Sequence, residues 1–288
     1  MPQTLRLLAA SALTYAINDA GPASPYDGIA NLSNIKTFSR GFDQINAALI
    51  GTADFGVVLV FRCTLPPVPG REAVPIIADW VQNIEVELEV GSFIPGQVHH
   101  GFLGALDSLW DEVSAELKNQ LAASPVKRLF VTGHSKGGAM AHLAATRCAL
   151  TSIIAGTQIT VRTFEAPLPG NSDFASGYAR LVPDAVRYEF QDDLVPHLPP
   201  GSEWRLALGN VPGLDNLADL TEDFDYSEAA TLAFVDWSGD IVGDSALLSF
   251  ERKAHLVAKL SGDQRLDVIT DHFIDPNSGL WKAISALT

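Results

Sequence analysis

One serine lies in a segment whose residue types suit nucleophilic chemistry. Residues 133–137 read GHSKG and fit the pattern Gly-x-Ser-x-Gly, in which a sharp strand-to-helix turn exposes a serine hydroxyl. An apolar, strand-like run precedes Ser135, and Gly138 and Ala139 allow a following helix to pack closely. The alternative is a glycine-rich turn whose serine only caps a helix. The pattern and its context favour a nucleophile at Ser135.

A serine hydroxyl is a poor nucleophile, so it needs a base, and the base needs an acid that orients it. At strand-turn-helix sites of this kind the chain order is serine, then Asp or Glu, then His. Three of the seven histidines precede Ser135 and violate this order. His142 lies two helical turns beyond Ser135, and His197 follows the candidate acids too closely. These five are therefore excluded as the base.

The two remaining histidines are His255 and His272. His255 lies within residues 250–260, whose spacing is that of a helix with basic neighbours, so a surface or packing role suits it better. His272 follows a short strand-like run at residues 268–271 that ends in a loop. The order and the context favour His272.

Two adjacent carboxylates, Asp192 and Asp193, follow a predicted strand, and Pro196 then turns the chain. Side chains alternate at the end of a strand, so only one of the two is expected to face the site. The alternative is a pair of solvated carboxylates in a turn. The spacing alone leaves the choice between Asp192 and Asp193 open.

Four apolar runs have the composition of buried parallel strands that would position these residues. The runs are residues 57–61, 128–131, 159–164 and 186–190. Residues 106–121 have helical spacing, and residues 138–150 form an alanine-rich helical stretch. Strands that alternate with helices predict an α/β fold with a mostly parallel sheet and helices on both faces.

Each run leads directly into a loop that carries unusual residues. These are Thr64, Ser135, residues 165–167 and the Asp192-Asp193 pair. Open α/β sheets bind ligands beyond the carboxyl ends of their strands. The site is therefore expected at that edge of the sheet, and because it draws on residues 64 to 272 we predict one domain over residues 1–288.

The composition is that of a globular, acidic protein. The 288 residues are 47% hydrophobic and carry a net charge of -15, with a pI of about 4.7. This charge repels phosphate backbones, so nucleic acid is excluded as a partner. The two cysteines, Cys63 and Cys148, form neither a disulfide framework nor a zinc motif, and we expect two buried free thiols.

The first residues contain an apolar run that resembles a signal peptide. However, Leu5, Leu8, Ala12 and Tyr15 fall on one helical stripe, which favours an ordinary helix of the folded domain. We therefore expect no signal peptide, and either a cytoplasmic location or export by another route. No run reaches transmembrane length.

Four motifs resemble the class 3 lipase family, a group of fungal-lipase-like α/β hydrolases. They are residues 61–64 (FRCT), 98–102 (VHHGF), 163–171 (TFEAPLPGN) and 193–200 (DLVPHLPP), in the family's order. The resemblance extends from about residue 5 to the end of the chain. It implies an α/β-hydrolase fold, and it selects Asp193 as the acid.

The resemblance also implies roles for particular residues. Ser135, Asp193 and His272 would form a catalytic triad, and Thr64 with the backbone N–H of Lys136 would form the oxyanion hole. Two features depart from the family pattern: Cys63 stands where glycine is usual, and the region after Thr64 is rich in proline. Residues 65–80 are expected to form a lid, and residues 203–230 an insertion.

The expected function is that of a serine carboxylester hydrolase, and most specifically a triacylglycerol lipase that acts through an acyl-enzyme. The alternatives are a short-chain, feruloyl-type or phospholipase A1-type esterase that uses the same site, or an inactive binding or scaffold protein. The chemistry requires no metal and no cofactor. The expected partner is a neutral ester or lipid substrate, with transient contact at a lipid surface.

Overall fold

The computed structural model describes residues 1–17, 24–63, 86–211, 219–262 and 267–287. The predicted lid at residues 65–80 lies outside these ranges. Within them, no helix is long and apolar enough to cross a membrane.

In the described part of the chain, a sheet of eight strands forms the centre of the protein. The strands are β1 (Ser33–Arg40), β2 (Asn46–Ala53), β3 (Gly56–Phe61), β6 (Leu129–His134), β7 (Ile159–Phe164), β9 (Asp184–Phe190), β11 (Thr231–Val235) and β12 (Ile241–Val242). They lie in the order β1-β2-β3-β6-β7-β9-β11-β12. The five strands from β3 to β11 are parallel, whereas β1, β2 and β12 pair antiparallel. The four predicted strands and the mostly parallel sheet are confirmed.

Helices cover both faces of this sheet. They are α1 (Gln3–Leu13), α2 (Asp27–Ala30), α3 (His100–Ala123), α4 (Lys136–Leu150), α5 (Ser172–Leu181), α6 (Ser202–Leu208), α7 (Ala246–Ser261), α8 (Asp267–Thr270) and α9 (Gly279–Ser285). The helix expected near the start of the chain is α1, and most of its residues are buried.

The alternation of side chains along β3 explains the two layers. Val57, Leu59 and Phe61 lie in a core shared with α3 and α4, whereas Val58 and Val60 face a second core shared with α1 and α9. All six residues of β3 are buried, as expected for a strand covered on both sides. The continuous apolar run in the sequence thus reflects two buried faces.

A smaller sheet lies beside the main one. Its strands β4 (Leu88–Glu89), β5 (Val98–His99), β8 (Gly170–Asn171) and β10 (Tyr226–Ser227) pair antiparallel in the order β10-β8-β5-β4. The predicted insertion at residues 203–230, of which residues 212–218 are not described, contributes most of α6 and all of β10.

One local prediction is wrong. Residues 268–271 read as a strand-like run, but Asp267–Thr270 form the helical turn α8. The backbone N–H of His272 closes this turn on the carbonyl oxygen of Ile269 at 3.2 Å. Four residues are too few to distinguish a strand period from a helical one, so tertiary contacts decide the conformation.

Candidate active site

The carboxyl ends of four parallel strands bring the candidate residues to one edge of the sheet. Cys63 follows β3, Ser135 follows β6, Glu165 follows β7, and Asp192 with Asp193 follow β9. Because these strands are parallel, their final residues meet at the same edge. Chemistry-bearing residues that are up to 130 positions apart in the sequence therefore lie side by side.

Ser135 occupies a tight turn between β6 and α4. Its backbone has φ 53° and ψ −131°, a combination that residues with a Cβ rarely adopt. A Cβ on Gly133 would lie 2.3 Å from the carbonyl carbon of Gly137, and a Cβ on Gly137 would lie 2.2 Å from the carbonyl oxygen of Phe61. Both glycines of the pentapeptide are therefore required sterically, as the turn demands.

Two backbone hydrogen bonds hold this turn in place. The N–H of Ser135 donates to the carbonyl oxygen of Phe164 at 2.9 Å, and the N–H of Gly138 donates to the carbonyl oxygen of Ser135 at 2.8 Å. The Ser135 side chain caps no N–H of α4. Its hydroxyl is therefore not committed to helix capping.

Asp193 and His272 form a buried pair. The Nδ1 atom of His272 lies 2.7 Å from Oδ2 of Asp193, across 79 positions of sequence. The other carboxylate oxygen of Asp193 accepts a hydrogen bond from the N–H of Val195 at 2.9 Å. These contacts orient the imidazole so that Nε2 is the ring nitrogen that is available to accept or donate a proton.

The environment of His272 favours its charged form. Burial lowers the pKa of His272, but the carboxylate of Asp193 and the thiol of Cys63 outweigh this effect and raise the pKa to about 9. The imidazole is therefore largely protonated at neutral pH, and must lose its Nε2 proton before it can accept another.

Asp192 has a different environment from Asp193. Its Oδ2 atom lies 2.7 Å from Nζ of Lys259 and accepts a hydrogen bond from Nε1 of Trp237 at 3.1 Å. The two carboxylates thus point to opposite sides, as alternation at a strand end requires. Asp192 joins β9 to α7, and Asp193 faces His272.

The other candidate base, His255, makes a different set of contacts. It is exposed on α7 and stacks on Trp237, with ring centroids 3.9 Å apart. His142 is buried in α4, where Nε2 lies 3.3 Å from the hydroxyl of Thr163. Neither ring meets Asp193 or Ser135.

Of the predicted oxyanion residues, only Lys136 is described. It is the first residue of α4, and its Nζ donates to Oδ1 of Asn46 at 2.7 Å. The ammonium group is thus bound elsewhere, which leaves the backbone N–H at the start of the helix. Thr64 lies outside the described residues.

His134 supports the site in a way that the sequence did not indicate. Its Nδ1 lies 2.8 Å from the hydroxyl of Tyr15, and its Nε2 lies 2.8 Å from the carbonyl oxygen of His272. The ring therefore joins the serine turn to the loop that carries His272. A histidine directly before the candidate serine was the one available signal, and nothing in the spacing indicated Tyr15.

Cys63 lies against this pair of histidines. The ligating atoms of Cys63, His134 and His272 are all within 4.8 Å of one another. Burial would raise the pKa of the Cys63 thiol, but hydrogen bonds with the two imidazoles hold it well below its usual range. The sequence identified Cys63 as a buried free thiol, which is confirmed, and as a departure from glycine. It did not indicate the contact with the two histidines, because residue spacing does not place β3 beside β6.

Glu165 is a fully buried carboxyl group near Asp193. Neither carboxyl oxygen has a well-formed hydrogen bond in the described part of the chain. Burial, and then the charge of Asp193, raise the pKa of Glu165 well above its usual range. Glu165 therefore favours its neutral form beside the Asp193–His272 pair.

Comparison with known proteins identifies relatives among lipases. A family model described as "Lipase (class 3)" matches residues 73–203. Lipase ZK262.3 of Caenorhabditis elegans is 44% identical over 71 residues, which is 25% of this chain and 20% of that protein. The secreted mono- and diacylglycerol lipase 1 of Fusarium solani is 33% identical over 129 residues, which is 43% of this chain and 36% of that protein.

The chain is also 28% identical over 183 residues to a lipase of Rhizomucor miehei, which covers 61% of this chain and 47% of that protein. The matches thus span less than half the length of these relatives.

Solved structures share the fold. One is reported as a triacylglycerol lipase whose catalytic centre is a serine protease triad; it has a TM-score of 0.71, is 21% identical, and covers 97% of this chain and 96% of its own. Lipase II from Rhizopus niveus has a TM-score of 0.63 at 18% identity, and covers 81% of this chain and 79% of its own. The fold is that of the α/β hydrolases, and residues 73–203 are similar to the class 3 lipase family.

Proposed function

We propose that this protein is a serine carboxylester hydrolase, and specifically a triacylglycerol lipase, with Ser135 as nucleophile, His272 as base and Asp193 as orienting acid. The observation that carries the proposal is the buried Asp193–His272 pair, which lies at the sheet edge where the backbone of Ser135 turns at positive φ. The match of residues 73–203 to the class 3 lipase model supports the same chemistry.

The reaction begins when neutral His272 accepts the hydroxyl proton of Ser135 at Nε2. The Ser135 oxygen attacks the ester carbonyl carbon, and the resulting imidazolium is stabilised by Asp193, which does not itself take the proton. The tetrahedral intermediate carries a negative oxygen that needs fixed donors. The backbone N–H of Lys136, at the start of α4, is suited to this role, and Thr64 is the second proposed donor.

Collapse of the intermediate expels the alcohol, which takes its proton from His272, and leaves an acyl group on Ser135. A water molecule then attacks the acyl-enzyme with His272 again as base. Water adds across the ester bond overall, so acid and alcohol are the only products. His134 acts as a positioning residue, because it binds the backbone carbonyl oxygen of His272.

The direct test is hydrolysis of a chromogenic ester by the wild type, Ser135→Ala and Ser152→Ala. Ser152 is a matched control because it also has a positive φ, of 56°, but is exposed in a turn after α4. Ser135→Ala should lower the turnover rate by about 10⁴-fold or more, whereas Ser152→Ala should not lower it. Equal activity of wild type and Ser135→Ala would contradict the assignment of the nucleophile.

The substrate class is tested with a series of acyl chains from acetate to palmitate, together with the corresponding triglycerides. A lipase should hydrolyse emulsified long-chain triglycerides. A preference confined to soluble acetate or butyrate esters would instead identify a short-chain esterase on the same site, and release of fatty acid from phospholipid alone would identify a phospholipase.

A further inference from the structure

Three metal-ligating side chains converge beside the candidate nucleophile. Cys63, His134 and His272 are 7%, 3% and 4% exposed, and the ligating atoms of all three lie within 4.8 Å of one another. They come from three elements: the end of β3, the end of β6, and the loop after α8. The proposed ester hydrolysis uses only His272 among them for chemistry.

We propose that Cys63, His134 and His272 form a reversible zinc site, and that a bound Zn²⁺ ion inhibits the enzyme by occupying His272. The binding itself is independent of the proposed function, whereas the inhibition rests on it. Three protein ligands leave a fourth tetrahedral position open to water.

The donor set suits zinc rather than a hard cation. A thiolate with two imidazoles is a typical zinc set, whereas Mg²⁺ and Ca²⁺ prefer oxygen. With zinc–ligand bonds of about 2.0–2.3 Å, two donors on one tetrahedral ion lie roughly 3.5 Å apart. Because the three donor atoms already lie within 4.8 Å of one another, side-chain shifts of about 1 Å suffice for them to bind one ion.

The hydrogen bonds already present assign the ligating atoms. Nδ1 of His272 is bound to Asp193, which leaves Nε2 for the ion and provides the carboxylate–histidine support common at zinc sites. Nε2 of His134 faces a carbonyl oxygen, so it carries the proton, and Nδ1 faces the hydroxyl of Tyr15. Zinc would replace that hydroxyl at Nδ1 of His134, bind the sulfur of Cys63, and release the proton that His272 carries at Nε2.

The consequence for hydrolysis is direct. A zinc ion on Nε2 of His272 takes the lone pair that must accept the proton of Ser135. The site also depends on a residue that departs from the family pattern, because glycine is usual at the position of Cys63 and offers no ligand. Sensitivity to zinc would thus be a property of this chain.

Metal binding is measured without reference to activity by titrating Ser135→Ala, in the full chain, with Co²⁺. A thiolate–cobalt charge-transfer band should appear at one equivalent, and added Zn²⁺ should abolish it. Cys148 provides the matched control: it is fully buried in α4, and burial raises its pKa to about 12. Cys148→Ala should keep the band, and Cys63→Ala should lose it.

Inhibition is measured as the activity with Zn²⁺ relative to each variant's own metal-free rate, with EDTA to reverse it. Loss of an outer-shell partner alone weakens metal binding about 10- to 100-fold, so loss of the Cys63 thiolate should raise the inhibitory zinc concentration by more than about 100-fold. Cys148→Ala should be inhibited like the wild type. Cys63→Ser, which preserves shape, provides a second variant if Cys63→Ala folds poorly.

The outcomes separate the two proposals. A cobalt band without any ester hydrolysis would support the zinc site and contradict the proposed function. Hydrolysis without a band in the unmodified chain, or a band that persists in Cys63→Ala and Cys63→Ser, would overturn the zinc site. The cobalt titration of the chain that retains Cys63 does not depend on how the Cys63 variants fold.

Discussion

The positive φ of Ser135 predicts that a glycine is tolerated better there than at an ordinary helical serine. Ser135→Gly and Ser135→Ala both remove the hydroxyl, and neither loses a helix cap, because the side chain caps no N–H. They differ only in the Cβ atom, which at φ 53° and ψ −131° is the source of backbone strain. Comparing the two therefore measures that strain.

The magnitude follows from three terms. A residue with a Cβ in such a region costs about 1–3 kcal/mol. Relative to alanine, glycine lowers the free energy of unfolding by about 0.5–1 kcal/mol, because it gives the unfolded chain more conformational freedom. The loss of one buried carbon lowers it by about 0.8 kcal/mol. The glycine variant should thus lie between about 0.8 kcal/mol less stable and about 1.7 kcal/mol more stable than the alanine variant.

A second pair of variants, at Ser114, cancels the effect of glycine on the conformational freedom of the unfolded chain. Ser114 lies within α3, so Ser114→Gly should be less stable than Ser114→Ala by about 1 kcal/mol. The difference between glycine and alanine should therefore be about 0.2–2.2 kcal/mol more favourable to glycine at residue 135 than at residue 114, which is the strain less the lost burial. The assay is urea-induced unfolding of all four variants, and the free energies are compared on condition that the m-values are unchanged. An equal penalty at both positions would refute the inference of strain.

Three further outcomes are expected. His272→Ala should lower kcat by about 10⁴-fold, whereas His255→Ala, which removes an exposed ring, should change kcat by less than about twofold; the reverse would reassign the base. Thr64→Val should lower kcat about 10²-fold, and a change under about threefold would mean that backbone N–H groups suffice. Burial lowers the pKa of His142 to about 3, so its contribution to stability is complete above pH 6.5 and is lost as the pH falls toward 3. His142→Gln should remove up to about 1.4 kcal/mol per pH unit of that acid sensitivity, and unfolding free energies at pH 7 and pH 4.5 that change equally in both proteins would contradict this.

Local features of the sequence were sufficient for the main elements. The run at residues 57–61 has apolar residues on both faces, which only a strand covered on both sides buries, and β3 is such a strand. Gly133 is required by a contact with Gly137 inside the turn, and this steric requirement acts between near neighbours in the chain. Gly137 is required by the carbonyl oxygen of Phe61 in β3, so the local pattern shows the glycine but not the strand that requires it.

Contacts between residues that are far apart in the chain could be predicted from the sequence only in part. Chain order and spacing together reduced seven candidate histidines to two, but residue spacing left Asp192 and Asp193 equivalent. In the structure, Asp192 binds Lys259 of α7, and Asp193 meets His272. Which carboxylate faces which partner depends on the direction in which β9 ends, and the residue types do not carry that information.

The sequence by itself determined the strand pattern, the glycine turn at Ser135 and the short set of candidate partners, because the first two are visible in residue types over a few positions and the third follows from the order of serine, acid and histidine along the chain. Only the tertiary structure decided that Cys63 and His134 lie against His272. These contacts depend on β3 and β6 being neighbours in register, and on α8 turning the chain back toward the sheet edge. Pairing between distant strands is set by the packing of the whole sheet, so no local pattern in the sequence encodes it.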